Sequence, residues 1–136
     1  MRLGALLVLV AACASESSGP ECTVDADCGG SFVCARPGEC DPPSQVREVT
    51  LLWTIDMMPA TANTCVPIPN LIVQFDGFDF NDTLGFSPVP CDQGQFHVDK
   101  LPTRYSTAEL GIEGRGFVNA AMIDFDTNTA QFDLMP

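Results

Sequence analysis

The sequence predicts an all-β protein: a single β-sandwich over residues 46–136, preceded by a small disulfide-rich segment at residues 22–40. Three observations lead there. From Val46 onward, short runs alternate apolar and polar residues, none keeps helical spacing for long, and Pro, Gly, Asn and Asp punctuate them. Before that, Cys22, Cys28, Cys34 and Cys40 recur with five residues between each. The chain also opens on a short apolar run ending in a cysteine, which sets the compartment in which the other cysteines are read.

Met1-Arg2 supplies one positive charge, Leu3 to Val10 is almost wholly apolar, and Ala11-Ala12 are the small residues a signal peptidase needs before its cut. The run stops at Ala14, before Ser15-Glu16-Ser17-Ser18-Gly19-Pro20, short of the roughly 20 apolar residues a spanning helix requires. Residues 1–12 therefore read as a signal peptide. Val10-Ala11-Ala12-Cys13 resembles the lipobox of bacterial lipoproteins, the resemblance covering Met1 to Cys13. It implies lipid attachment at Cys13, a tether over residues 13–21, and a product held to a membrane by acyl chains rather than crossing it. Ala14 is not the aspartate that, in the enterobacterial sorting rule, keeps lipoproteins on the inner membrane. The resemblance thus implies the outer membrane, on its periplasmic or cell-surface side.

With the signal removed, enough chain is left for one ordinary domain and a small appendage. Six basic residues face 18 acidic ones, and loss of Arg2 makes the formal charge of −12 one unit more negative. Nucleic acid and anionic lipid surfaces would be repelled, which argues against both as partners. The simplest account of the acidity is solubility of an extracellular surface. Taking Cys13 from seven cysteines leaves an even set for disulfides, in agreement with the lipobox.

The segment from Cys22 to Cys40 has little but Phe32 and Val33 to pack, so cross-links must hold it. Four cysteines allow three pairings and spacing does not choose among them. The alternating scheme, Cys22 with Cys34 and Cys28 with Cys40, is the expectation we adopt. Zinc is the lesser alternative, because tetrathiolate sites present closer pairs and belong to reducing compartments. Asp27-Cys28-Gly29 resembles small extracellular modules of the Dickkopf amino-terminal type. An inhibitor-like scaffold is a further alternative, although Arg36-Pro37 would make a poor reactive bond for trypsin-like proteases. Asp41-Pro42-Pro43-Ser44 opens a linker at 41–45, expected to be a short stiff spacer that stands the module off from the sandwich.

In the sandwich, Val49, Leu51, Trp53 and Ile55 form one apolar face, with Trp53, the sole tryptophan, as core anchor. Leu71, Val73 and Phe75 repeat the pattern until Asp76-Gly77 signals a turn. Phe96 and Val98 make another short strand, and Ala108, Leu110 and Ile112 a further one, ended by the glycines at 111, 114 and 116. Ala121, Ile123 and Phe125, with Phe132 and Leu134 across Asp126-Thr127-Asn128-Thr129, read as a closing hairpin. Cys65 and Cys91 are expected to pair, closing a loop worth about 3 kcal/mol. Val49-Thr50-Leu51-Leu52-Trp53-Thr54, Val89-Pro90-Cys91-Asp92-Gln93-Gly94 and Leu101-Pro102-Thr103-Arg104-Tyr105 resemble carboxypeptidase regulatory-like domains, with Thr103-Arg104 where that family has a glycine before the tyrosine. The resemblance implies an Ig-like or transthyretin-like sandwich, a tyrosine ring packed at its end, and an accessory domain without catalytic residues.

Candidate chemistry is sparse, and no cofactor motif occurs. His97, the sole histidine, falls on the outward face between Phe96 and Val98, and no Gly-x-Ser-x-Gly elbow exists to supply a nucleophile. Asp124, Asp126 and Asn128 have the spacing of the first calcium ligands of an EF-hand loop, but Thr129 replaces the glycine and Met135 the closing glutamate, so a plain turn is preferred. Asp76, Asp79, Asn81 and Asp82 form an oxygen-rich patch among Phe75, Phe78 and Phe80, read as a loop whose aromatics cover the core or, alternatively, as an exposed contact surface or calcium loop. Asn81-Asp82-Thr83 is a glycosylation sequon, without meaning in a bacterial lipoprotein. The sequence therefore implies a noncatalytic, membrane-anchored envelope component with a protein or glycan partner. A calcium-dependent adhesion module and a secreted inhibitor-like binder are the alternatives.

Overall fold

Alternation of apolar and polar residues gives each strand one face to bury, and here two stacked sheets bury it. The computed structural model describes residues 21–68 and 70–136. Its strands are β1 (Val33–Cys34), β2 (Cys40–Asp41), β3 (Val46–Ile55), β4 (Met58–Pro59), β5 (Asn70–Asp76), β6 (Thr83–Pro90), β7 (Gln95–Pro102), β8 (Thr107–Ile112), β9 (Gly116–Met122) and β10 (Thr129–Leu134). No α-helix occurs among the described residues.

The long strand β3 centres the first sheet, with β10 parallel on one side and β7 and β4 antiparallel on it. The second sheet runs β6-β5-β8-β9, all antiparallel. The inward positions expected from alternation are the buried ones: Val49, Leu51, Trp53 and Ile55 from one sheet meet Leu71, Val73, Phe75, Ala108, Leu110 and Ile112 from the other. Trp53 also satisfies its ring N–H, donating to the Cys91 carbonyl at 2.7 Å. Between β8 and β9 the chains approach so closely that a Cβ on Gly111 would lie 2.5 Å from the Gly116 carbonyl oxygen, which only glycine permits.

All six cysteines after position 13 are paired, as Cys22–Cys34, Cys28–Cys40 and Cys65–Cys91. The last joins the β4–β5 connection to the end of β6 inside the core.

Three expectations are corrected. The closing segment is not a hairpin: β9 belongs to the second sheet and β10 to the first, where it runs parallel to β3, and one bridge, Asp124 to Thr129, links the two ends. Phe125 accordingly lies outside the core, 63% exposed. The strands β6 and most of β9 were not foreseen, because Gly85, Pro88 and Pro90 interrupt one and Gly116-Phe117-Val118 has no alternation.

The module also does not stand off. Pro43–Gln45 form one short 3-10 turn leading directly into β3, and the module lies against β7. A β-bulge makes this contact. Arg47 pairs with Leu101 and Val49 with Val98, so Asp99 and Lys100 oppose the single Glu48, and Lys100 takes φ 50°. The bulge aims both side chains at the module: Asp99 bonds Arg36, with Nε to Oδ1 at 2.6 Å, and Lys100 Nζ bonds Asp25 at 2.6 and 2.8 Å. The Lys100 carbonyl accepts the Arg36 backbone N–H at 3.1 Å. These ion pairs and the backbone bond join the module to β7.

Candidate functional site

Two polar assemblies stand out on this sandwich, a seam at one end and a groove on the outer face of the second sheet. The seam centres on Arg104. Its Nε donates to Asp82 Oδ2 at 2.7 Å, its other nitrogens meet Glu39 and, at 3.9 Å, Asp41 of the module, and its guanidinium lies 4.9 Å from the Tyr105 ring centre. Tyr105 is 1% exposed and donates its hydroxyl to Asp82 Oδ1 at 2.6 Å. Burial and the hydrogen bond to the Asp82 carboxylate push the phenol up to about 12. Burial disfavours the Asp82 charge, but the bonds from Tyr105 and Arg104 outweigh it and hold that carboxyl below its ordinary value. For Asp41 the balance is reversed: burial and the nearby Glu39 charge push its carboxyl up despite Arg104.

The groove forms where β5 turns toward β6. Outward positions alternate with the core residues of each strand, which places Gln74 and Asp76 of β5 beside Glu109 of β8. Backbone bonds from Gly77 to Asp82 (2.8 Å) and from Asp82 to Asp79 (2.9 Å) close the base of the intervening loop. The loop and the sheet line an open groove of about 350 Å³. Phe78 and Phe80 stand on its rim, 81% and 104% exposed. The loop aromatics thus do not cover the core; Phe75 alone of the three is buried. Gln74 Nε2 donates to Asp76 Oδ1 at 2.7 Å and approaches Glu109 Oε2 at 3.5 Å. Burial and the charge of Asp76 push the Glu109 carboxyl above its ordinary range. Gln74 and Glu109 escaped the reading of the sequence, although their outward phase in two alternating runs was a usable signal.

The other candidate residues are not drawn together. His97 is exposed and bonds only Thr50, with Nδ1 at 3.2 Å from Oγ1. Asp124 Oδ1 accepts from the backbone of Asp126 and Thr127 and from the Thr127 hydroxyl, at 3.0, 2.8 and 2.9 Å, as a turn residue does. Asn128 Oδ1 is taken by Arg47 at 3.2 Å, so a guanidinium occupies the side from which a cation would approach. Asp82 of the oxygen-rich patch faces the seam instead of the groove, and the sequon residue Asn81 lies exposed on the loop. The described His, Cys, Asp and Glu residues gather at metal-ligating distance only at Cys22, Cys28 and Cys40, all bonded in disulfides. Arg36, the residue of the inhibitor alternative, is turned to Asp99 across the seam. Cys13 lies outside the described residues. Among those described, no helix is long and apolar enough to cross a membrane.

No protein-family model, curated protein or solved structure matches this chain.

Proposed function

We propose that the chain is a lipid-anchored envelope protein, attached through Cys13 on the periplasmic or cell-surface side of a bacterial outer membrane, with a noncatalytic structural or binding role. The observation that carries this reading is the disulfide set. The six later cysteines bond one another, and the seventh of the sequence is Cys13, which directly follows Val10-Ala11-Ala12. Three disulfides belong to an oxidising compartment, and a cysteine after two small residues at the end of an apolar run is the substrate of lipidation. A binding role is supported by the groove beside Phe78 and Phe80. The resemblance to accessory carboxypeptidase regulatory-like sandwiches points the same way.

Intact mass of the protein extracted from native membranes, with and without reductant, tests the reading. The expected product begins at Cys13, carries acyl chains and gains six hydrogens on reduction. An unlipidated chain, or one in which Cys13 forms a disulfide, would overturn the anchor and make a secreted binder the better reading.

A further inference from the structure

The groove on the second sheet combines two features that suit one kind of occupant. Its floor carries the carboxylates of Asp76 and Glu109 beside the Gln74 amide, and its rim carries two fully presented phenyl rings, Phe78 and Phe80. An aromatic face attracts a cation through its quadrupole, and a carboxylate adds charge and acceptor oxygens, so together they favour an organic cation over an anion or a neutral group.

Among the described residues no Lys or Arg lines the groove, so the cations they carry do not serve this purpose. Arg36, Lys100 and Arg104 pair with Asp99, Asp25 and Asp82 at the seam. Arg47 bonds the Tyr105 carbonyl and Asn128, and Arg115 lies in the turn beyond the far end of β8. The two floor carboxylates are therefore left with the neutral Gln74 between them. Burial and the neighbouring Asp76 charge raise the Glu109 carboxyl. A volume of about 350 Å³ lies at the small end of the range for ligand pockets, enough for one long side chain. A divalent ion would need several oxygens converging on one point, and the described carboxylates form no such group.

We propose that this groove binds an arginine or lysine side chain presented by a basic segment of a protein partner, its cation lying against Phe78 or Phe80 and bonded to Asp76 and Glu109. The proposal rests on the binding role suggested above, but not on lipidation. A chain that proved unlipidated by mass would leave it intact.

The test is titration of the full chain, in neutral detergent micelles, with a capped tetra-arginine peptide, followed by calorimetry and by backbone amide NMR. The expected result is saturable binding with shifts centred on Gln74, Asp76 and Glu109. Replacing both rings together, Phe78→Ala with Phe80→Ala, should weaken it about threefold. The pair Asp76→Asn with Glu109→Gln should weaken it about tenfold. Both rings are solvent-exposed, so the double phenylalanine variant retains the fold. Asp92→Asn, at an exposed carboxylate outside the groove, should leave affinity unchanged. Four results would overturn the proposal: no binding, equal binding of the neutral tetra-citrulline peptide, equal weakening by Asp92→Asn, which would reveal diffuse attraction to an acidic protein, or groove shifts produced by calcium chloride and not by the peptide.

Discussion

Replacing Tyr105 with phenylalanine removes a single oxygen from the centre of the seam while keeping a ring that is 1% exposed. The packing is preserved, so the effect isolates the 2.6 Å hydrogen bond to Asp82 Oδ1. Because the acceptor is ionised, the bond is worth about 1.5 to 3 kcal/mol, and because Asp82 keeps its bond from Arg104, the lower end is expected. The pH dependence sharpens this. A phenol whose folded pKa is raised from 10 to about 12 contributes stability that is complete below pH 10 and lost as pH rises toward 12, about 2 to 3 kcal/mol in all. Tyr105 is the sole tyrosine, so its ionisation can be followed directly by ultraviolet absorbance in the folded protein. Urea unfolding of both forms across this range should show a difference that is constant near neutrality and shrinks between pH 10 and 12. Titration of the folded phenol near 10, or a Tyr105→Phe cost below about 0.5 kcal/mol at pH 7, would refute the seam as a stabilising element.

Further expectations concern the core and the docking of the module. Trp53→Ala should lower unfolding free energy by about 3 to 5 kcal/mol, measured by circular dichroism, since it empties a core position and removes the 2.7 Å bond to the Cys91 carbonyl; a near-neutral result would contradict the register of β3. Arg104→Met removes the cation shared by Asp82, Glu39 and Asp41. A cost of about 1 to 3 kcal/mol is expected, between exposed and buried ion pairs, with faster hydrogen exchange at the Arg36 amide. Unchanged exchange would show that the module is held by the β7 bulge alone.

The strand faces were legible because alternation is local: successive side chains point to opposite sides, so a run such as Val49 to Ile55 declares its inward residues whatever it pairs with. Where alternation fails, legibility fails too. The prolines and glycine of β6 conceal a strand paired with β5, and the turn at Asp126 to Asn128 looks like a hairpin although its arms enter different sheets. The same loop chemistry suggested calcium ligands, and their fate depended on Arg47, 81 residues away from Asn128 in the chain.

By itself, then, the sequence determined the all-β class, the principal inward faces and the even cysteine set available for disulfides, all of which follow from composition and from neighbours along the chain. Tertiary structure decided the parallel placement of β10, the docking of the module and the groove. These depend on groups distant in sequence, such as Gln74 beside Glu109, 35 residues on, and Arg36 beside Asp99, 63 residues on. Alternation marks such residues as outward-facing but does not say which of them meet, because their contact arises only when the sheets and the bulge have brought them together.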